Sequence, residues 1–211
     1  EGWGYALREW GEDKTGKQWL FLPLFQKAYD FSEGHGVIKL NHLMGLVDSD
    51  KNTLIKPSFA NMKKYSEGML PVSKKLGEWF FVDNKGNTVI KDTFQNVSSF
   101  SEGLVSVKKK GKWGYINKKN EVVIPLKYDR AYDFHDGVAV VVSDKNRFFI
   151  DTQGRPLSEH YDDVFRVSEG YAAVKVGGLW GYVFIPRPSL DKDSKKSEKQ
   201  TTEQVKGVIE N

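Results

Sequence analysis

The sequence predicts an all-β protein: tandem three-stranded β-meanders of about 34 residues, stacked in an elongated, open array. Three observations predict it. A short signature ending in an acid and a glycine returns five times, at Phe31-Ser32-Glu33-Gly34, Tyr65-Ser66-Glu67-Gly68, Phe100-Ser101-Glu102-Gly103, Phe134-His135-Asp136-Gly137 and Val167-Ser168-Glu169-Gly170. Its glycines lie 34, 35, 34 and 33 residues apart. Ten or eleven residues after each glycine comes a second mark, clearest as Lys112-Trp113-Gly114-Tyr115-Ile116-Asn117. Its counterparts are Met44-Gly45-Leu46-Val47-Asp48, Trp79-Phe80-Phe81-Val82-Asp83, Arg147-Phe148-Phe149-Ile150-Asp151 and Trp180-Gly181-Tyr182-Val183. A third mark follows at Ile55-Lys56-Pro57, Val89-Ile90-Lys91 and Val123-Ile124-Pro125.

Within a unit each stretch reads as β. Val105-Ser106-Val107-Lys108 alternates with period two, as a strand does. Lys110-Gly111-Lys112 offers a turn, and Trp113 to Asn117 returns as a second strand. In the last unit the same turn is Gly177-Gly178, a two-residue hairpin signal. A second turn at Lys118-Lys119-Asn120 leads to the third strand, Glu121 to Ile124, which Pro125 confines to an edge or an end. A propeller blade takes four strands and about 40 residues or more, so an open array is expected over a closed ring.

The first unit is atypical. Trp3-Gly4-Tyr5 enters the array in mid-repeat, and about eight extra residues separate this Trp-Gly from Pro23. A register starting at Trp10-Gly11 restores the usual spacing but puts Glu12-Asp13-Lys14 where a strand belongs. A lengthened hairpin turning at Glu12 to Gly16 is therefore the preferred reading. The array is expected to fill residues 1–186 with about five units. From Arg187 to Asn211, Ser, Lys, Asp, Glu, Gln and Thr dominate, which predicts a polar, flexible tail or linker.

These marks resemble the WG-containing repeat family, also called KWG repeats, over about residues 3 to 186. The literal Lys112-Trp113-Gly114 and the Val-Ile-Pro element carry the resemblance; Met44, Phe80 and Arg147-Phe148 depart from it. The resemblance implies a bacterial protein of a family often joined to export signals or other domains and usually without an assigned activity.

Composition excludes several classes. Hydrophobic residues are 39% and charged residues 28%, enough of the first to build a core. The longest apolar run, Trp19 to Phe25, spans seven residues, against the roughly 20 of a membrane helix. Without Cys there is no disulfide, thiolate metal site or thiol nucleophile. A net charge of +4 is mild, so no nucleic-acid partner is expected. The first residue is Glu1, which fits a cleaved secretory signal or a trimmed fragment; with the lack of Cys this favours an exported protein of the periplasm or cell surface.

The acids Glu33, Glu67, Glu102, Asp136 and Glu169 are each one repeat apart and beside Gly. They read as turn acceptors and not as a paired acid and base. Asp48-Ser49-Asp50-Lys51-Asn52 resembles the start of a calcium loop but has Thr53 and Phe59 where Gly and Glu are required, so a hairpin turn is favoured. His35, His42, His135 and His160 lack metal-ligand spacing. No cofactor and no enzymatic activity are expected.

Trp79, Trp113 and Trp180, as consensus aromatics, are placed in the core between units. Trp10, Trp19 and Phe21 lie outside the consensus and are candidates to anchor a protein partner, or to cap the first unit. Lys74 and Lys75 occupy a hairpin equivalent to that of Lys108, Lys109 and Lys110. Stacked repeats would align them into a basic stripe for an anionic glycan or envelope surface, or the lysines simply keep the turns soluble. The sequence thus points to a non-enzymatic interaction module with a protein partner, and alternatively to a glycan- or envelope-binding one.

Overall fold

The computed structural model describes residues 25–186, and every strand and turn in that span belongs to antiparallel β-structure. No described residue is helical, and no helix there is long and apolar enough to cross a membrane. The lengthened first hairpin, with Trp10, Trp19 and Phe21, and the tail from Arg187 onward lie outside the described residues. The described residues fall into two compact units, divided between Phe94 and Gln95.

The first unit holds two meanders. One sheet runs in chain order through β1 (Lys27–Ser32), β2 (His35–Leu40), β3 (Leu43–Asp48) and β4 (Thr53–Phe59). The next runs through β5 (Asn61–Met62), β6 (Leu70–Ser73), β7 (Trp79–Val82) and β8 (Thr88–Phe94). The second unit holds three. Its first sheet contains β9 (Asn96–Val97), β10 (Leu104–Lys109), β11 (Lys112–Asn117) and β12 (Val122–Tyr128). The second contains β13 (Arg130–Ala131), β14 (Val138–Ser143) and β15 (Asn146–Asp151). The third contains β16 (Asp163–Val164), β17 (Tyr171–Val176) and β18 (Leu179–Phe184). The long strands of the first three sheets fall where the sequence places them, although β12 runs past Pro125 to Tyr128. In the last two sheets only two long strands form: the expected third is reduced to isolated bridges beside β15 and has no counterpart among the described residues beside β18. The addition is a short leading strand, only two residues in four of the sheets, which carries no periodic signal.

The five acid–glycine pairs are two-residue turns in which both residues have positive φ, from Glu33 at 50° and Gly34 at 72° to Glu169 at 54° and Gly170 at 85°. That is the type I′ geometry, whose twist matches the flanking strands. The acid also reaches along the array. The Glu67 N–H donates to both carboxylate oxygens of Glu33 at 2.8 Å, and the Gly137 N–H donates to Glu102 Oε2 at 2.9 Å. Each of these two carboxylates therefore ties its own turn to the turn of the following repeat.

The second and third marks recur together because they touch. A Cβ placed on Gly114 would stand 2.5 Å from the Ile124 carbonyl oxygen and 2.7 Å from the Pro125 carbonyl; one on Gly45 would stand 2.5 Å from the Ile55 oxygen. The third long strand bulges onto this glycine in β3–β4 and β11–β12, and the β7–β8 register shifts at the same place although Phe80 stands there.

Successive meanders share cores. In the first unit Val37, Leu46, Ile55 and Phe59 pack with Met62, Tyr65, Leu70, Val72 and Val82 of the following sheet. In the second, Tyr115, Ile124 and Tyr128 pack with Phe134, Val141, Phe148 and Ile150. Phe149, between the last two in sequence, points the other way and joins Val138 to Val167, Ala172, Val174 and Ile185. The middle sheet of this unit is thus buried on both faces, which accounts for its unbroken apolar runs.

Candidate binding surface

The last described sheet differs from its predecessors in what covers it. In β18, Leu179, Gly181 and Val183 alternate with Trp180, Tyr182 and Phe184. Val183 packs against the core that Ala172 and Val174 share with Phe149. Trp180, Tyr182 and Phe184 project from the opposite face, where they pair with Lys175, Ala173 and Tyr171 of β17. Phe165 joins them with its ring 5.1 Å from that of Trp180; Tyr171 and Phe184 meet edge-on at 5.5 Å. Lys175 Nζ lies 5.9 Å from the Trp180 ring. The result is an aromatic face bordered by one cation.

The counterpart of Tyr182 two repeats earlier is Tyr115. That ring is fully buried, 4.8 Å from Phe134, and its hydroxyl donates to the Tyr132 carbonyl at 2.6 Å. Burial drives its pKa strongly upward. Tyr182 occupies the same place in its own repeat yet is 84% exposed. The edge differs as well. β3, β7 and β11 pair with β4, β8 and β12, and β15 pairs through the Ile150–Pro156 and Arg147–Tyr161 bridges. Among the described residues β18 pairs with β17 alone. A Cβ placed on Gly181, at the position of Gly45 and Gly114, would meet no described atom within 4 Å.

The consensus tryptophans need correction. Trp79 and Trp113 are half-buried and Trp180 is 48% exposed. Each stands at the hairpin end of its strand, Trp113 opposite Lys108 and Trp180 opposite Lys175, so only part of the indole reaches the core. The residue two positions on fills the centre, as Leu46, Phe81 and Tyr115 do. Lys63 Nζ sits 5.1 Å from the Trp79 ring, an arrangement that suits a rim.

Lys74 and Lys75 are exposed in the β6–β7 connection, and Lys75 pairs with Glu78 at 2.8 Å. Lys108 is half-buried, while Lys109 and Lys110 are exposed, Lys110 with φ 51° in the β10–β11 turn. The structure brings each group together within its own turn; the two turns belong to different units. The segment that resembles a calcium loop is a side-chain-closed turn: Asp48 accepts from the Asn52 N–H at 2.7 Å and the Asn52 amide at 2.8 Å. Asp83, Asn117 and Asp151 close equivalent turns. Among the described residues no group of His, Asp and Glu is arranged to hold a metal ion. Phe165, Tyr171, Tyr182 and Phe184 are not singled out by the sequence because Tyr182 carries a core consensus. The available signal is the missing third mark after Val183.

Solved structures share the fold. A variant of Kluyveromyces lactis Hsv2, with loop 6CD replaced by a Gly-Ser linker, matches 74% of this chain and 61% of its own at 11% identity, with a TM-score of 0.51. A crystal structure of the eukaryotic initiation factor matches 75% of this chain and 51% of its own at 11% identity, with a TM-score of 0.53. The chain thus spans between half and two thirds of these structures, and at such identities the likeness is one of fold alone. No curated protein matches the sequence. The model of the WG-containing repeat matches residues 44–75, 79–113, 113–146 and 148–180, the same units whose turns, glycines and bulges recur in the structure, and the chain belongs to the WG-containing repeat family.

Proposed function

We propose that this chain is a non-enzymatic interaction module of a bacterial, exported protein, and that it binds a protein partner through its repeat surface. The observation that supports the reading is the aromatic face of β16–β18, where Phe165, Tyr171, Trp180, Tyr182 and Phe184 are all more than 40% exposed around one sheet. Contiguous apolar surface of this kind marks interaction sites, and aromatic side chains are the usual anchors. Trp10, Trp19 and Phe21 are further contact points in this reading. The Cys-free composition supports placement outside the cytoplasm.

A second reading, binding to an anionic glycan or envelope surface, is favoured by the exposure of Lys74, Lys75, Lys109 and Lys110 at hairpin turns, with Lys108 beside them. Photo-crosslinking separates the two. A crosslinker at position 182 should capture a discrete protein from native extract, with far less captured from position 109. Salt-sensitive retention on glycan through the lysines, with no protein captured from position 182, would overturn the first reading in favour of the second.

A further inference from the structure

The three complete meanders show what belongs on the open edge of β18. In each, the third long strand lies against the strand of the second mark in one register. Met44, Leu46 and Val47 face Phe59, Ile55 and Thr53. Trp79, Phe81 and Val82 face Phe94, Ile90 and Thr88; Trp113, Tyr115 and Ile116 face Tyr128, Ile124 and Val122. The strand that fits is therefore Val or Thr, any residue, Ile, any three residues, then Phe or Tyr. Trp180, Tyr182 and Val183 present the receiving half of that register, and Gly181 keeps the clearance into which the strand bulges.

We propose that β18 accepts a strand of this pattern in trans, from a protein partner, by antiparallel addition to its open edge. Strand addition to an exposed sheet edge is an established recognition mode, with main-chain bonds giving affinity and alternate side chains giving selectivity. The chain satisfies the pattern in full at residues 53–59, 88–94 and 122–128, each already paired in its own sheet. The stretch around Pro23 departs from it, with Leu20 and Leu22 at the Val and Ile positions and Gln26 where the aromatic belongs. Residues 187–211 contain no aromatic residue to set opposite Trp180 and place Asp191 where Ile is needed. A partner strand would cover Tyr182 as well as pair its backbone. The inference rests on the interaction-module reading and specifies how that site recognises its partner.

The test uses the full chain and an octapeptide with the sequence of residues 121–128, Glu-Val-Val-Ile-Pro-Leu-Lys-Tyr. Titration followed by NMR and calorimetry should give saturable binding, with shifts concentrated at residues 179–184. The same peptide with Asp at the Ile position should not bind. Gly181→Val has open space and an ordinary backbone, so it should melt with the wild type. Its side chain meets the incoming bulge, so peptide affinity should fall by about tenfold or more; Gly181→Ala is the milder variant if Val unfolds the sheet. Failure of the wild type to bind saturably, undiminished binding by Gly181→Val, or amide protection of the whole β18 edge in the peptide-free chain would each overturn the proposal. A protein captured from position 182 whose capture survives Gly181→Val would leave the module reading intact and remove strand addition alone.

Discussion

Gly114→Ala tests the claim that the repeat is held by contact between its second and third marks. The added Cβ would lie 2.5 Å from the Ile124 oxygen and 2.7 Å from the Pro125 carbonyl. Ordinary contact begins near 3.4 Å, so the opposing strand must retreat by about 0.9 Å. The obstacle is backbone held in a ladder, which cannot swing aside as a flexible side chain does. Overpacking of this kind costs about 1–3 kcal/mol. For a chain of this size that lowers Tm by about 4–8 °C at the middle of the range. Gly181→Ala makes the same chemical change where nothing described stands within 4 Å, and it should stay within about 0.5 kcal/mol of wild type. Urea and thermal unfolding of both variants measure the difference. Repeat arrays unfold by nearest-neighbour steps, so hydrogen exchange at residues 112–128 should show the loss locally. Equal effects of the two substitutions would refute the reasoning.

Glu102→Gln weakens the bond to the Gly137 N–H and, on an exposed turn, should cost about 0.5–1 kcal/mol in urea unfolding while leaving partner capture at position 182 unchanged. Asp151→Ala should cost more, about 2–3 kcal/mol, because the buried carboxylate accepts from the Gln153 and Arg155 N–H groups and from Arg155 Nε at 2.6 Å; an unchanged Tm would contradict this. Burial opposes the charge of Asp48 and Asp83, but hydrogen bonds from Asn52 and Asn87 outweigh it and hold both below the usual carboxylate pKa. Their stabilisation is present above the unfolded value of about 4 and is lost as pH falls through the lower folded values, so the urea midpoint should hold at neutral pH and drop below about pH 4. Tyr115→Phe removes the bond to the Tyr132 carbonyl and should cost about 1–2 kcal/mol. With burial raising the Tyr115 pKa, wild-type stability should also decline above about pH 10, where only the unfolded tyrosine ionises, and Tyr115→Phe should blunt that decline.

The period was legible in the sequence because it is set by backbone necessity. A type I′ turn needs two residues at positive φ, and the recurring acid–Gly pair adopts it at Glu33-Gly34 and at each later copy, with Gly taking the second position without strain. Gly114 and Ile124-Pro125 were legible as two recurring marks, and the structure supplies the contact that joins them. The leading strands were not: Asn61–Met62 and Asn96–Val97 are too short for any period to register. Nor was the candidate site. Tyr115 and Tyr182 carry the same local motif, and their burial is decided by the neighbouring sheet and not by their own strand. Trp113 was misplaced for a related reason, since its distance from the hairpin end, and not its size, fixes how deeply the indole sits.

The carboxylates that reach from one turn to the next also constrain how such a chain changes in length. Glu33 closes on the amide of Glu67, and Glu102 on the amide of Gly137, 34 and 35 positions away. Removing a few residues inside that interval breaks a link, whereas removing or duplicating the whole interval leaves an acid facing the next turn amide as before. Genetic gain and loss in this array should therefore proceed by entire repeats. Small insertions should survive mainly at hairpin tips such as residues 74–78, where the connection between β6 and β7 is already longer than two residues.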